Sequence, residues 1–98
     1  MKKSHKYLID AIAALDPTEA KAVAKISLVR ANGVVFMAKD VTVADGMVFA
    51  RHCLDVNQWF YVPTDEIVGL IVDIDPKKCA EMKIEPTLPA VLAHALSR

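Results

Sequence analysis

Ile26-Ser27-Leu28-Val29-Arg30-Ala31-Asn32-Gly33-Val34-Val35-Phe36-Met37 is the stretch that decides how the chain folds. Two apolar runs rich in β-branched residues flank Asn32-Gly33. Both members of that dipeptide tolerate positive φ, which makes it the strongest short-range sign of a β-hairpin. Working outward, the second run continues through Val41-Thr42-Val43 to another turn at Ala44-Asp45-Gly46. A strand from Val34 to Val43 is long enough to need a bend, and Lys39-Asp40 is its expected place. A third strand runs from Met47 to about Leu54, followed by a turn at Asp55-Val56-Asn57. Gln58 to Val62 forms a fourth, stopped by Pro63, which cannot donate to a ladder. Thr64-Asp65-Glu66 suits one tight helical turn. Ile67 to Ile74 is a fifth strand, with Gly69 as an internal kink.

Helical patterns lie on either side of these strands. Tyr7, Leu8, Ala11, Ile12 and Leu15 recur at helical spacing and predict one apolar stripe. Asp16-Pro17 then predicts a stop and a second, short helix. Asp16 serves as its cap, Pro17 occupies its first position, Glu19 completes a capping box, and Ala20 to Lys25 form its body. At the other end, Asp75-Pro76 opens a capped turn or short helix to about Met82. Pro86 and Pro89 precede a last helix over Ala90 to Ser97. With 98 residues the chain makes one domain. Its parts are a helical segment at 1–25, five strands at 26–74 and a helical segment at 75–98.

Composition narrows the function classes. Hydrophobic residues make up 54% of the chain, which excludes intrinsic disorder. Twelve basic residues balance twelve acidic ones, so no whole-chain field draws in nucleic acid or a membrane surface. Cys53 and Cys79 are too few to staple a secreted scaffold, and both read as buried apolar filler. The apolar run Tyr7-Leu8-Ile9 meets Asp10 too soon for a secretory signal. No stretch reaches the length of a membrane span. A reducing cytoplasm is the expected location.

Five short antiparallel strands with bare edges invite aggregation, and a small bent barrel avoids this. The expected fold is therefore mainly β with flanking helices (α+β), a five-stranded bent antiparallel barrel with N-terminal helices and a C-terminal helix. The strands alternate poorly. Met47, Phe49 and Cys53 point opposite to Val48, Ala50 and Leu54, and Ile67 and Ile71 opposite to Val68, Leu70, Val72 and Ile74. With apolar residues on both faces, the chain's own helices or a second copy must cover the outside. A homo-oligomer is the expectation.

The aliphatic strand into Asn32-Gly33, the long second strand, the turn at Asp45-Gly46 and the tight turn at Pro63-Thr64-Asp65-Glu66 together resemble the Sm-like fold of Hfq and its relatives, one of the SH3-like barrels. The resemblance covers Ile26 to Ile74. It implies an N-terminal helix before a five-stranded bent barrel, rings made by pairing the fourth strand of one copy with the fifth of the next, and RNA binding. Hfq carries a Tyr-Lys-His motif between its last two strands, where this chain reads Tyr61-Val62-Pro63 and keeps only the tyrosine.

Two features carry binding chemistry. Trp59-Phe60-Tyr61 puts Trp59 and Tyr61 on one face of a strand and Phe60 on the other, with Arg51 as a neighbour on the preceding strand. Such rings serve as core, as a protein interface or as a stacking platform for bases. The second feature is a charge split. Residues 1–39 hold seven basic side chains (Lys2, Lys3, Lys6, Lys21, Lys25, Arg30, Lys39) against three acids, and residues 40–98 hold five against nine. The basic seven are the candidate nucleic-acid contacts.

Catalytic groupings are missing from the pattern. His52 and Cys53 are adjacent, so on a strand they face opposite ways. No His or Cys spacing matches a zinc site, and Gly33, Gly46 and Gly69 are isolated. Asp65-Glu66 and Asp73-x-Asp75 read as a turn and a helix cap. The expectation is a non-catalytic protein without cofactor or metal. It acts as an oligomeric adaptor, regulator or inhibitor that docks on another protein through Trp59, Tyr61 and Arg51. The alternative is an Sm-like RNA-binding regulator. Salt distinguishes the two, because phosphate contacts weaken steeply as salt rises and apolar interfaces do not.

Overall fold

The computed structural model describes residues 3–17, 22–52, 54–55 and 57–97. Helix α1 (Lys3–Ala14) leads into strands β1 (Val23–Arg30), β2 (Val35–Ala44), β3 (Met47–His52) and β4 (Trp59–Pro63). A single 3-10 turn (Thr64–Glu66) joins β4 to β5 (Ile67–Ile74), and helices α2 (Pro76–Glu81) and α3 (Leu88–Leu96) follow. The strands form one antiparallel sheet in the order β4-β3-β2-β1-β5. The fold is thus mainly β with helices at both ends, as the turn chemistry predicted.

The hairpins form where their glycines require them. Gly33 has φ 88° and donates to the Arg30 carbonyl at 2.9 Å. Asp45 and Gly46 both have positive φ, as a two-residue hairpin turn demands. The bend expected at Lys39-Asp40 is a β-bulge. The β2–β3 register shifts between Lys39 and Thr42, and Asp40 takes φ 52°, a conformation that aspartate accepts better than most residues.

Closure of the sheet does not occur. No ladder joins β4 to β5, so the sheet stays open between its two edges. It is nonetheless strongly curled, because three residues link strands at opposite edges. That link is bonded on both sides: Thr64 N–H donates to the Gly46 carbonyl at 2.9 Å and Ala31 N–H to the Glu66 carbonyl at 2.7 Å. Helices occupy the inside of the curl. Ile9, Ile12 and Leu15 of the first segment, with Val91 and Ala95 of α3 and Cys79 of α2, bury against Ile26, Leu28, Phe36, Ala38, Val48, Ala50 and Val62. A cylinder closed on itself would leave no room for that helical layer.

Two further expectations are corrected. The second helix after Pro17 does not reach Lys25: residues 18–21 lie outside the described ones, and Val23 and Ala24 already belong to β1. The cap expected from Asp16 would act on residues outside the described ones. Asp16 is buried, and its Oδ2 accepts from Val41 N–H at 2.7 Å, so its carboxylate satisfies a backbone donor freed by the bulge. Tyr7 lies on the exposed side of α1, and Ile9 takes its place in the core.

The facing of Ile67 also differs from simple alternation. A register shift between Val29 and Arg30 pairs Gly69 with Val29 but Ile67 with Arg30, which leaves Val68 as an extra residue. Ile67 therefore turns inward and is fully buried, while Ile71 stays half exposed on the outside. The bulge reverses the parity, which strict period-two counting cannot anticipate.

Candidate functional site

Register places the site. Pairing Arg51 with Trp59 and Phe49 with Tyr61 sets these four side chains on the outer face of the β3–β4 ribbon, while Ala50, Phe60, Val48 and Val62 face inward. Trp59 is 55% exposed and Tyr61 64%, and Phe49 lies at the same surface at 36%. Core packing does not explain these rings. Phe60, between them in sequence, does serve the core and stacks on Phe36 at 4.1 Å between ring centroids.

Neighbours hold the outer rings in place. The guanidinium of Arg51 lies over the Trp59 ring, 4.9 Å from its centroid, within the reach of a cation–π contact. Its Nη2 is 2.7 Å from Asp40 Oδ2, so the bulge residue supplies the carboxylate that fixes the cation. The rings of Phe49 and Tyr61 meet at 4.9 Å, tilted by 43°. An aromatic surface braced in this way loses little side-chain freedom when a partner binds.

The loop from β3 to β4 is organised by His52. Its Nδ1 accepts from the N–H groups of Leu54 at 3.0 Å and Asp55 at 3.2 Å. This ends β3 two residues earlier than the apolar run suggested. Gln58 N–H then donates to the Asp55 carbonyl, and His52 N–H donates to the Gln58 carbonyl at 2.8 Å, returning the chain into β4.

The predicted partner residues Trp59, Tyr61 and Arg51 are brought together. Phe49 and Asp40 belong with them and were missed. A period-two count across the hairpin would have found Phe49, had the register of the long β3–β4 loop been known. Nothing in the sequence ties Asp40 to Arg51. The described candidate nucleic-acid contacts are spread over α1, β1 and β2, and among the described side chains three are ion-paired: Lys6 with Asp10 at 2.8 Å, Lys25 with Asp73 at 3.4 Å and Arg30 with Glu66 at 2.6 Å. Lys39 lies across from Arg51 in register. Lys2 and Lys21 lie outside the described residues, and Lys3 opens α1.

Asp75 acts as the sequence implied, with Oδ1 accepting from the N–H groups of Lys77 and Lys78 at the start of α2. Among the described residues no three His, Cys, Asp or Glu side chains gather as a metal site, and no helix is long and apolar enough to cross a membrane. Cys79 is buried, whereas Cys53 lies outside the described residues. Compared with protein-family models, curated proteins and solved structures, the chain matches none.

Proposed function

We propose that this chain is a non-catalytic cytoplasmic binding protein, an oligomeric adaptor or regulator that docks on another protein through the outer face of β3 and β4. One observation carries the reading. Trp59 and Tyr61 are more than half exposed on a strand whose other face is core, and Arg51 and Phe49 brace them there. Aromatic rings held rigid at a surface are the usual anchors of protein interfaces. Self-association is supported by a second apolar area on the same outer face, where Val35 and Ile71 are half exposed, and by the outer edge of β5 beside it, with which no strand pairs among the described residues.

The second reading, an RNA-binding Sm-like regulator, draws on the Arg51–Trp59 stack, which resembles a platform for a base. Local charge weighs against it. Residues 39–66 contain Lys39 and Arg51 against Asp40, Asp45, Asp55, Asp65 and Glu66, a net of −3 around the rings.

Capture from cells with the wild-type chain and with Tyr61→Ala tests both readings. The expected outcome is a protein retained by the wild type as salt is raised and lost with the variant. Capture of RNA instead, released steeply by salt, would reverse the order of the two.

A further inference from the structure

The backbone of β4 is as informative as its side chains. Bonds at the two ends of the ribbon, Thr64 to Gly46 and His52 to Gln58, set the phase of the ladder. Hydrogen-bonded pairs then fall at 48/62 and 50/60, so the N–H and C=O groups of Phe60 and Val62 point toward β3. Those of Trp59 and Tyr61 point away from it. Among the described residues no strand pairs with that outer edge. The same two residues therefore offer free backbone groups at the edge and exposed rings on the outer face. Pro63 has no N–H and ends the strip.

Both ends of the strip are acidic. Asp45 lies in the β2–β3 turn, and the Thr64–Gly46 bond brings Asp65, whose side chain is 88% exposed, to that same end. Exposed Asp55 lies in the loop at the other end. Of the basic groups nearby, Arg51 and Lys39 are set back from the edge on β3 and β2, with Arg51 taken up by Asp40, and His5 Nε2 lies 3.7 Å from Asp65 Oδ1.

We infer that the edge of β4 takes an extended segment of another protein, one that hydrogen-bonds to the backbone of Trp59 and Tyr61, lays apolar side chains on their rings and carries Lys or Arg at both ends. This rests on the docking reading and names the chemistry of its partner. Strand addition supplies affinity through main-chain bonds, and alternate side chains supply specificity. The five residues of β4 span about 17 Å, so the partner's cations stand roughly five to seven positions apart. A second copy of the chain fits less well. Its β5 bears no cation between Ile67 and Ile74 and carries Asp73 near its end, with Asp75 just beyond, giving the acidic rim nothing to attract.

Two synthetic nonapeptides test this on the full-length chain, each with a core of alternating valine and threonine, one ending in lysine pairs and the other in glutamate pairs. Two-dimensional amide NMR is the readout. The lysine-ended peptide is expected to shift the Trp59 and Tyr61 amides and to bind about tenfold more tightly than the other, the scale of two or three exposed ion pairs. Replacing Asp45, Asp55 and Asp65 together by Asn should equalise the two peptides. Asn tolerates the positive φ of Asp45 and can still accept a hydrogen bond at position 55, so this variant folds.

Equal binding of both peptides at β4 would overturn the charge inference and leave the docking surface standing. The partner assignment would also fall if diluting the protein alone moved the same amides, which would make a second copy the occupant. Shifts produced by oligouridine, with neither peptide active at millimolar concentration, would overturn this inference and the docking reading together.

Discussion

The two faces of the β3–β4 ribbon share a backbone and a composition, yet they do opposite work. Inward, Val48, Ala50, Phe60 and Val62 join a core roofed by the helices. Outward, Phe49, Trp59 and Tyr61 meet solvent. Hydropathy does not separate these sets, because both are apolar and aromatic. They differ in what lies above them. Helices α1 and α3 fill the inside of the curl, and among the described residues nothing covers the outside of the ribbon. Exposed aromatic area that contributes little to folding remains free to bind.

The sharpest attempt to break this contrast is a matched pair of truncations. Leu28→Ala removes a side chain with 0% exposure and should cost about 2–5 kcal/mol in chemical denaturation. Asp16→Ala should come next, at about 1–3 kcal/mol, because it leaves the Val41 N–H buried without an acceptor. That loss would show that the inner face depends on the polar stitch at the bulge as well as on its apolar area. His52→Ala should cost less, about 1 kcal/mol, the usual size of a lost hydrogen bond. Its clearest signature is local, with hydrogen exchange at Leu54 and Asp55 accelerating while exchange at Leu28 does not change. Smallest of all, Trp59→Ala should change stability by less than about 1 kcal/mol, since it gives up a cation–π contact at an exposed site. If Trp59→Ala proved as costly as Leu28→Ala, the two faces would be equivalent and the outer rings would be core.

Much of the fold was legible because it is local. Asn32-Gly33 and Asp45-Gly46 accept positive φ more readily than most residues, and Gly33, Asp45 and Gly46 adopt it, while Pro63 stands last in β4. Asp75-Pro76 carries a helix cap and a first helical residue in adjacent positions. The bend at Lys39-Asp40 followed from strand length alone. Misreadings arose where long-range partners override local chemistry. Asp16-Pro17 has the composition of a helix start, yet by Val23 the chain is already in β1, and Asp16 is buried with its carboxylate accepting from Val41 N–H, 25 residues on. Ile67 was assigned to the wrong face because a bulge opposite Arg30 reverses the alternation. For the site, Trp59 and Tyr61 could be paired from spacing, whereas Phe49 and Asp40 required the register across a loop.

By itself the sequence determined the succession of five strands between terminal helices, the position of nearly every turn among them and the sharing of a face by Trp59 and Tyr61. These depend on dihedral preferences and periods that act over a few residues. Only the tertiary structure decided that the sheet stays open, which isoleucines turn inward, and that an acidic residue on β2 holds the arginine beneath the tryptophan. Those outcomes depend on contacts between residues far apart in the chain, where bulges, helix packing and hydrogen-bond competition outweigh local preference.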